Sequence, residues 1–385
     1  MATDPRVDRQ ERRPAALLGF PRSAAELDPR IEPSVLTAIS RIAPGTQLRQ
    51  GIDDIIRARE GALIVIGDPN ELSFLFSGGI RLDVPFTGQL LYELAKMDGA
   101  IIVNPSRSKL AYANVQLMPD PTIPSVETGT RHRTAERVAK QTGALVISIS
   151  QQRSTISVYV GPTRYQLDPV PEVLAKTNQG LATLETYGQR LQQVLTRLTA
   201  LEFQNAVVLD DVLVVLQRAE MTTRMAAEIE RDCIELGAEA RLIQMQLHEL
   251  VGEVPAERAL VVYDYHADGP GPRAELALEG LHALPYRQLL ESERLAELLA
   301  YPREVNPLDH SVVPRGLRIL SRIPRLPDGV IKKVVGGLGD LDSIVRASQR
   351  DLETISGVGA VRAREIREGL RRLQEHNLVE RYLNL

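Results

Sequence analysis

Hydrophobic and polar positions alternate in three different ways along this chain. From Gly51 to Val160 short apolar runs are interleaved with amphipathic ones: Ile52 to Arg59 has helical spacing, Ala62-Leu63-Ile64-Val65-Ile66 has the length of a buried strand, and Leu90 to Leu94 is helical again. Extended segments are predicted at Leu72 to Phe76 and Ile80 to Asp83, around Gly78-Gly79, and strands at Ala100 to Val103 and Ala111 to Met118. A helix reaching Gln141 is stopped by Thr142-Gly143, after which Ala144 to Ser150 and Thr155 to Val160 read as adjacent strands. This alternation predicts a compact α/β domain with a mixed sheet, preceded by a helix containing Pro33 to Ile42.

Strand signals vanish between Glu172 and about Val251. There Ile229, Cys233, Leu236, Ala240, Ile243, Leu247 and Leu250 step by four and three, which predicts one unbroken helix packed at coiled-coil angles. Leu184, Leu191, Leu195 and Leu198 form a similar stripe, so the middle of the chain is expected to be a helical spine; Leu260 to Tyr265 reads as an extended apolar run within it. The third regime is a tail with a repeated unit. Leu352 to Ala360, containing Gly357-Val358-Gly359, joins one helix to the next (Val361 to Leu373) in a helix-hairpin-helix pattern. A degenerate copy spans Ile319 to Val335, with Ile323 to Val330 as its hairpin and Leu341 to Ala347 as the connecting helix. The expected organisation is a flexible segment 1–30, an α/β domain 31–170, a helical spine 171–314 and a helix-hairpin-helix domain 315–385.

Composition narrows the function. A chain of 385 residues exceeds what one hydrophobic core sustains, and 43% hydrophobic with 25% charged residues suits a globular protein. Without a run of about 20 apolar residues or an apolar signal region, a cytoplasmic location is expected. Cys233, the single cysteine, excludes an internal disulfide and a thiolate zinc site, and its place on the seam makes it a buried apolar residue. The net charge of -4 conceals a segregation: from Arg315 onward fourteen Lys and Arg face nine acids, so a nucleic-acid partner is expected for the tail.

Two clusters carry chemistry. Arg131-His132-Arg133, preceded by Gly129-Thr130 and followed by Thr134, stands where a turn becomes a helix. Unpaired N–H groups, the positive end of the helix dipole and cationic side chains there suit a polyphosphate. Upstream, Asp98-Gly99-Ala100 places one carboxylate at a helix–strand junction, where a divalent metal would sit. In the tail, the N–H groups of Gly357, Val358 and Gly359 are expected to hold a duplex phosphate, while Lys332, Lys333, Arg362 and Arg364 add salt-sensitive attraction without reading bases.

The Asp98-Gly99-Ala100 and Arg131-His132-Arg133 motifs, separated by a strand-rich interval, resemble the two signatures of the diadenylate cyclase family. The helical middle and paired hairpins resemble the DNA-scanning members of that family, from about Val35 to the end. Two departures stand out: the first hairpin lacks the Gly-x-Gly form, and the charged N-terminal segment has no assignment. The resemblance implies condensation of two ATP molecules into cyclic di-AMP with release of two pyrophosphates. It implies that Asp98 holds Mg²⁺ or Mn²⁺ and that Gly99 and Ala100 lie against the nucleotide. By the same resemblance Thr130, Arg131, His132, Arg133 and Thr134 contact the β- and γ-phosphates, Leu117 the adenine, and Ser150, with Arg153, the phosphate region. It also implies an octamer with cyclase domains face to face and a DNA-binding tail suited to branched junctions, in a nucleoid-associated protein. A DNA-binding scaffold that senses ATP without turnover is the alternative.

Overall fold

The computed structural model describes residues 33–383; the expected N-terminal segment 1–30 lies outside them. Two compact units are formed, one of residues 33–182 with 227–248 and one of residues 183–226 with 249–383.

The first unit is built on a mixed sheet with the strand order β2-β5-β4-β1-β6-β7-β8 and β3 alongside β5. Its elements are α1 (Pro33–Arg41), α2 (Gln47–Arg57), β1 (Ala62–Ile66), α3 (Pro69–Leu72), β2 (Phe76–Ser77), β3 (Ile80–Pro85), α4 (Gly88–Ala95), β4 (Ala100–Asn104), β5 (Lys109–Leu117), α5 (Thr130–Thr142), β6 (Leu145–Ile149), β7 (Ile156–Val160) and β8 (Thr163–Leu167). β1 runs parallel to β4, and the other pairs are antiparallel. Helices cover both faces of the central strands. Val35, Ile39, Ile52, Ile55 and Leu91 pack with Ile64, Ile101 and Ile147 in one core, while Ala135, Val138 and Ala139 of α5 pack with Val65, Ile102 and Val146 in another. Burial on both faces is why β1, β4 and β6 read as continuous apolar runs.

Three expectations need correction. Residues Leu72–Leu75 are not extended: Asp68 caps α3 through the Asn70 N–H, Pro69 stands in its first turn, and a 3₁₀ turn follows at Ser73–Leu75. The seam from Ile229 to Leu250 is not one helix. α6 (Val170–Gln204) is followed by α7 (Leu209–Leu236), which ends in a 3₁₀ turn at Gly237–Ala240, and α8 (Arg241–Val251) begins after it. Gly237 has φ of 53°, and a Cβ there would stand 2.4 Å from the Pro44 oxygen, an atom that also accepts the Ala238 N–H at 3.0 Å. The turn between α1 and α2 therefore occupies the break. The seam side chains from Ile229 to Leu247 stay buried across it, and burial pushes the Cys233 thiol up to about 11.

The third correction concerns Leu260 to Tyr265, which lies in α9 (Val254–Tyr265), opened by Pro255 in its first turn. Val261, Val262 and Tyr265 are buried in the core of the second unit, and that packing overrides the strand preference of the β-branched pair. The second unit continues through α10 (Pro272–Ala283), α11 (Tyr286–Leu289), α12 (Ser292–Leu298), α13 (Leu317–Ser321), α14 (Asp328–Leu338), α15 (Leu341–Arg346), α16 (Gln349–Glu353) and α17 (Ala360–Leu383). Leu320, Ile323, Val334, Ile344, Leu352, Val358 and Ile366 form the core that joins the two helix–turn–helix segments of the tail.

Arg318 of α13 is fully buried in this unit. It pairs with Glu202, with Glu257 at 2.6 Å, and donates to the Thr199 hydroxyl at 2.8 Å. Gly316, the cap residue of α13, has no side chain to satisfy the helix start. Asp264 does so instead, accepting the N–H groups of Leu317 and Arg318 at 2.7 and 2.8 Å. Among the described residues no helix is long and apolar enough to cross a membrane.

Candidate active site

Strand register brings the α/β candidates to one edge of the sheet. Leu63, next to the start of β1, pairs with Ala100 at the start of β4; Ala62 pairs with Ile149 at the end of β6; and Ala100 pairs with Val115 near the end of β5. Asp98-Gly99, Leu117 and Ser150 therefore sit at the same edge as Gly61. The start of α5 reaches this edge too, because the Arg131 guanidinium lies against Gly61, in space a side chain there would fill.

Local chemistry fixes each residue. Asp98 is exposed in the bend between α4 and β4. Gly99 has φ of 94°, and a Cβ on it would lie 2.9–3.0 Å from the backbone of Asn114 and Val115, so the bend is pressed against β5. Ala100 is buried as the first residue of β4. Leu117 is buried with Leu72 and Leu75 at the end of β5, a core position. Ser150 closes the turn after β6: its hydroxyl accepts the Arg153 N–H at 3.3 Å, and its carbonyl accepts Ser154 N–H at 2.9 Å.

The basic triplet opens α5 as the sequence predicts, with Gly129 as cap and no side chain capping the first turn. Its three members are placed differently. Arg131 is half-buried against Gly61. Arg133 is exposed, and its guanidinium donates to the carbonyls of Glu127 at 3.2 Å and Thr128 at 3.4 Å. Burial, reinforced by the positive charges of Arg164, Arg131 and Arg153 and opposed by Glu127, holds the His132 imidazole below its ordinary 6.5. The shift favours the neutral imidazole, which can donate or accept a hydrogen bond. Thr130 is exposed and Thr134 half-buried on the same turn.

Among the described residues no group of three His, Cys, Asp or Glu side chains is arranged to hold a metal ion. A single exposed carboxylate still fits Mg²⁺ or Mn²⁺, because hard cations of this kind bind through one or two carboxylates while taking their other ligands from substrate phosphates and water.

In the tail, Gly357 has φ of 90° and Gly359 precedes α17. Val358 is buried in the core and its N–H donates to the Ile355 carbonyl at 3.0 Å, so the N–H expected to hold phosphate is already bonded. Arg362 donates to the Gly357 carbonyl at 2.7 Å, and Arg364 is exposed. The two lysines of α14 diverge. Lys333 extends to Gly357, its Nζ 3.1 Å from where a Cβ would stand. Lys332 lines a cavity of about 610 Å³ together with Leu260, Tyr263, Arg315 and Ile331.

Sequence reasoning missed Gly61 and the trio Glu127, Tyr159 and Arg164. An acidic residue four positions before a basic triplet was the available signal for Glu127; nothing in the sequence marked Gly61 as the seat of Arg131.

Residues 49–163 match the family described as DisA bacterial checkpoint controller nucleotide-binding, and residues 167–308 match the DisA bacterial checkpoint controller linker region. The chain is 49% identical over 341 residues to the DNA integrity scanning protein DisA of Carboxydothermus hydrogenoformans, covering 89% of this chain and 97% of that one. The protein of the same name from Symbiobacterium thermophilum is 47% identical over 345 residues, covering 90% and 97%. That from Acetivibrio thermocellus is 45% identical over 349 residues, covering 91% and 97%.

Proposed function

The chain belongs to the family of the DNA integrity scanning protein DisA, and from that premise we propose that its α/β unit is a diadenylate cyclase whose output depends on DNA held by the tail. The observation that carries the reading is the convergence of Asp98, Gly99, Ser150 and the first turn of α5 on one sheet edge.

In the proposed reaction the 3′-hydroxyl of each ATP attacks the α-phosphate of the other, pyrophosphate leaves, and cyclic di-AMP results. Such chemistry depends on positioning and charge neutralisation. Arg131 and Arg133 supply fixed positive charge to the β- and γ-phosphates, His132 and the hydroxyls of Thr130 and Thr134 add hydrogen bonds, and the dipole of α5 points its positive end at the leaving group. Asp98 holds Mg²⁺ or Mn²⁺, which when bound offsets the charge on the α-phosphate. Gly99 and Ala100 keep side chains clear of the nucleotide, Leu117 contributes to its apolar wall, and Ser150 orders the turn facing the phosphates.

One site holds one ATP, so two protomers face each other across a two-fold axis. Support comes from apolar side chains left exposed beside the site: Met97 precedes Asp98, and Met118 follows Leu117. The assembly is proposed to be an octamer in the cytoplasm, associated with the nucleoid, its tails binding branched DNA through Gly357, Gly359, Lys333 and Arg364, with Lys332 and Arg362 in support.

Mass spectrometry of the products formed from ATP with Mg²⁺ or Mn²⁺ tests the chemistry. Cyclic di-AMP and pyrophosphate are expected; ATP bound but recovered intact would favour the scaffold. A four-way junction is expected to change the turnover rate of the full chain, and an unchanged rate would remove the coupling.

A further inference from the structure

The loop from Met118 to Gly129 has no regular structure, yet it is held at many points. The Asp120 N–H donates to Gln141 at 2.9 Å, Arg137 donates to the Ile123 carbonyl at 2.9 Å, and Lys140 to the Pro124 carbonyl at 2.9 Å. Buried Glu136 accepts the Ser125 hydroxyl and the Val126 N–H. All these anchors lie on α5, so they fasten the loop to its own helix.

Glu127 joins the loop to the sheet. Its Oε1 accepts the Tyr159 hydroxyl of β7 at 2.9 Å and lies 3.0 Å from Arg164 Nε of β8, with the side chain only 12% exposed. Its backbone carbonyl accepts the Arg133 guanidinium, and its charge opposes those of Arg131, Arg153 and Arg164 around His132. A carboxylate beside a polyphosphate site repels the substrate by charge alone. Such a cost at this position is offset when the group orders the cations that bind the substrate.

We propose that Glu127, clamped by Tyr159 and Arg164, is a positioning residue of the cyclase: it locks the Met118–Gly129 loop to β7 and β8 and so aims His132 and Arg133 at the leaving pyrophosphate. This rests on the cyclase reading above. Glu127 touches no reacting atom; it acts through the triplet.

The test compares full-length wild type, Glu127→Ala, Glu127→Gln and Tyr159→Phe in kcat, KM for ATP, the pH profile of turnover and melting temperature. Glu127→Ala is expected to lose about ten-fold or more in kcat, the scale on which misplacement of catalytic groups acts, with KM changed far less. Glu127→Gln retains an oxygen for Tyr159 and Arg164 and is expected to recover most of the rate. Because it removes the negative charge opposing three arginines around His132, it is also expected to move the acidic limb of the pH profile to lower pH. Tyr159→Phe is expected to fall between Glu127→Ala and wild type. Wild-type kcat in Glu127→Ala, a loss confined to KM, or a loss matched by the fraction unfolded overturns the proposal. If wild type itself releases no cyclic di-AMP, the cyclase reading fails instead. The clamp is then judged by whether Glu127→Gln lowers the His132 titration midpoint in NMR; an unmoved midpoint overturns it.

Discussion

Arg131 rests its guanidinium on Gly61, and a Cβ on that glycine would stand 2.0 Å from Nη1. The clash involves the far end of a flexible side chain, so Gly61→Ala is expected to move Arg131 while costing the fold no more than about 1 kcal/mol. KM for ATP should rise several-fold with the melting temperature nearly unchanged. In a double-mutant cycle with Arg131→Ala the two losses should be strongly sub-additive, because both act on one side chain.

Gly99 and Asp98 are neighbours with opposite vulnerabilities. Gly99→Ala combines positive φ with contact against the β5 backbone, which cannot yield as a side chain can, and should destabilise the α/β unit by about 2–4 kcal/mol. Asp98→Asn alters an exposed side chain, so its melting curve should overlay that of wild type while cyclic di-AMP formation falls about 100-fold or more. Calorimetry and product assays on the two variants separate the roles.

His132 carries a pH dependence of known sign. Its folded value lies below the ordinary 6.5, so the folded state holds fewer protons than the unfolded one between the two values. The contribution to stability is present above the ordinary value and is lost as pH falls through the folded one. His132→Asn should flatten the stability-versus-pH curve below pH 6.5, measured by urea unfolding at a series of pH values.

Asp264 behaves in the opposite sense. Burial, with Glu202 beside it, pushes its carboxyl up to about 7, so its contribution is present below the usual carboxylate range and is lost as pH rises through about 7. Urea unfolding of the full chain should show this slope in the helical unit. Arg318→Met leaves the buried Glu202 carboxylate without its ionic partner, with only the Tyr265 hydroxyl still donating to it, and should cost about 3–5 kcal/mol in the same measurement.

The lysines of α14 should separate in DNA binding. Lys333→Ala is expected to weaken binding similarly for all sequences and to reduce the slope of log K against log salt by about 1. Lys332→Ala should change that slope less, since Lys332 lines a cavity against α9 and α13. Titrations at several salt concentrations distinguish them.

Much of the molecule was legible because burial on both strand faces writes long apolar runs. β1, β4 and β6 fall where those runs lie, and α5 starts at the triplet and stops at Gly143, whose φ is 70°. β8 was missed because Thr163–Leu167 is polar and its inner face is only partly buried. The break at Gly237 was hidden because the spacing of buried residues continues through a 3₁₀ turn, and the reason for the turn is Pro44, far away in sequence. At the site, motifs identified the charged residues, but the seat of Arg131 and the clamp on Glu127 depend on β1, β7 and β8, which only the folded sheet brings near.

Arg318 gives the tail a second role in the molecule. A protein ending at residue 314 would keep Glu202, Glu257 and Asp264 but lose the guanidinium and the two N–H groups that satisfy them. Deleting the tail is therefore not a neutral amputation. A shortened chain with altered turnover would report damage to α6 and α9 as readily as loss of DNA binding, so the proposed coupling is tested by point variants at Lys333 and Arg364 in an intact chain.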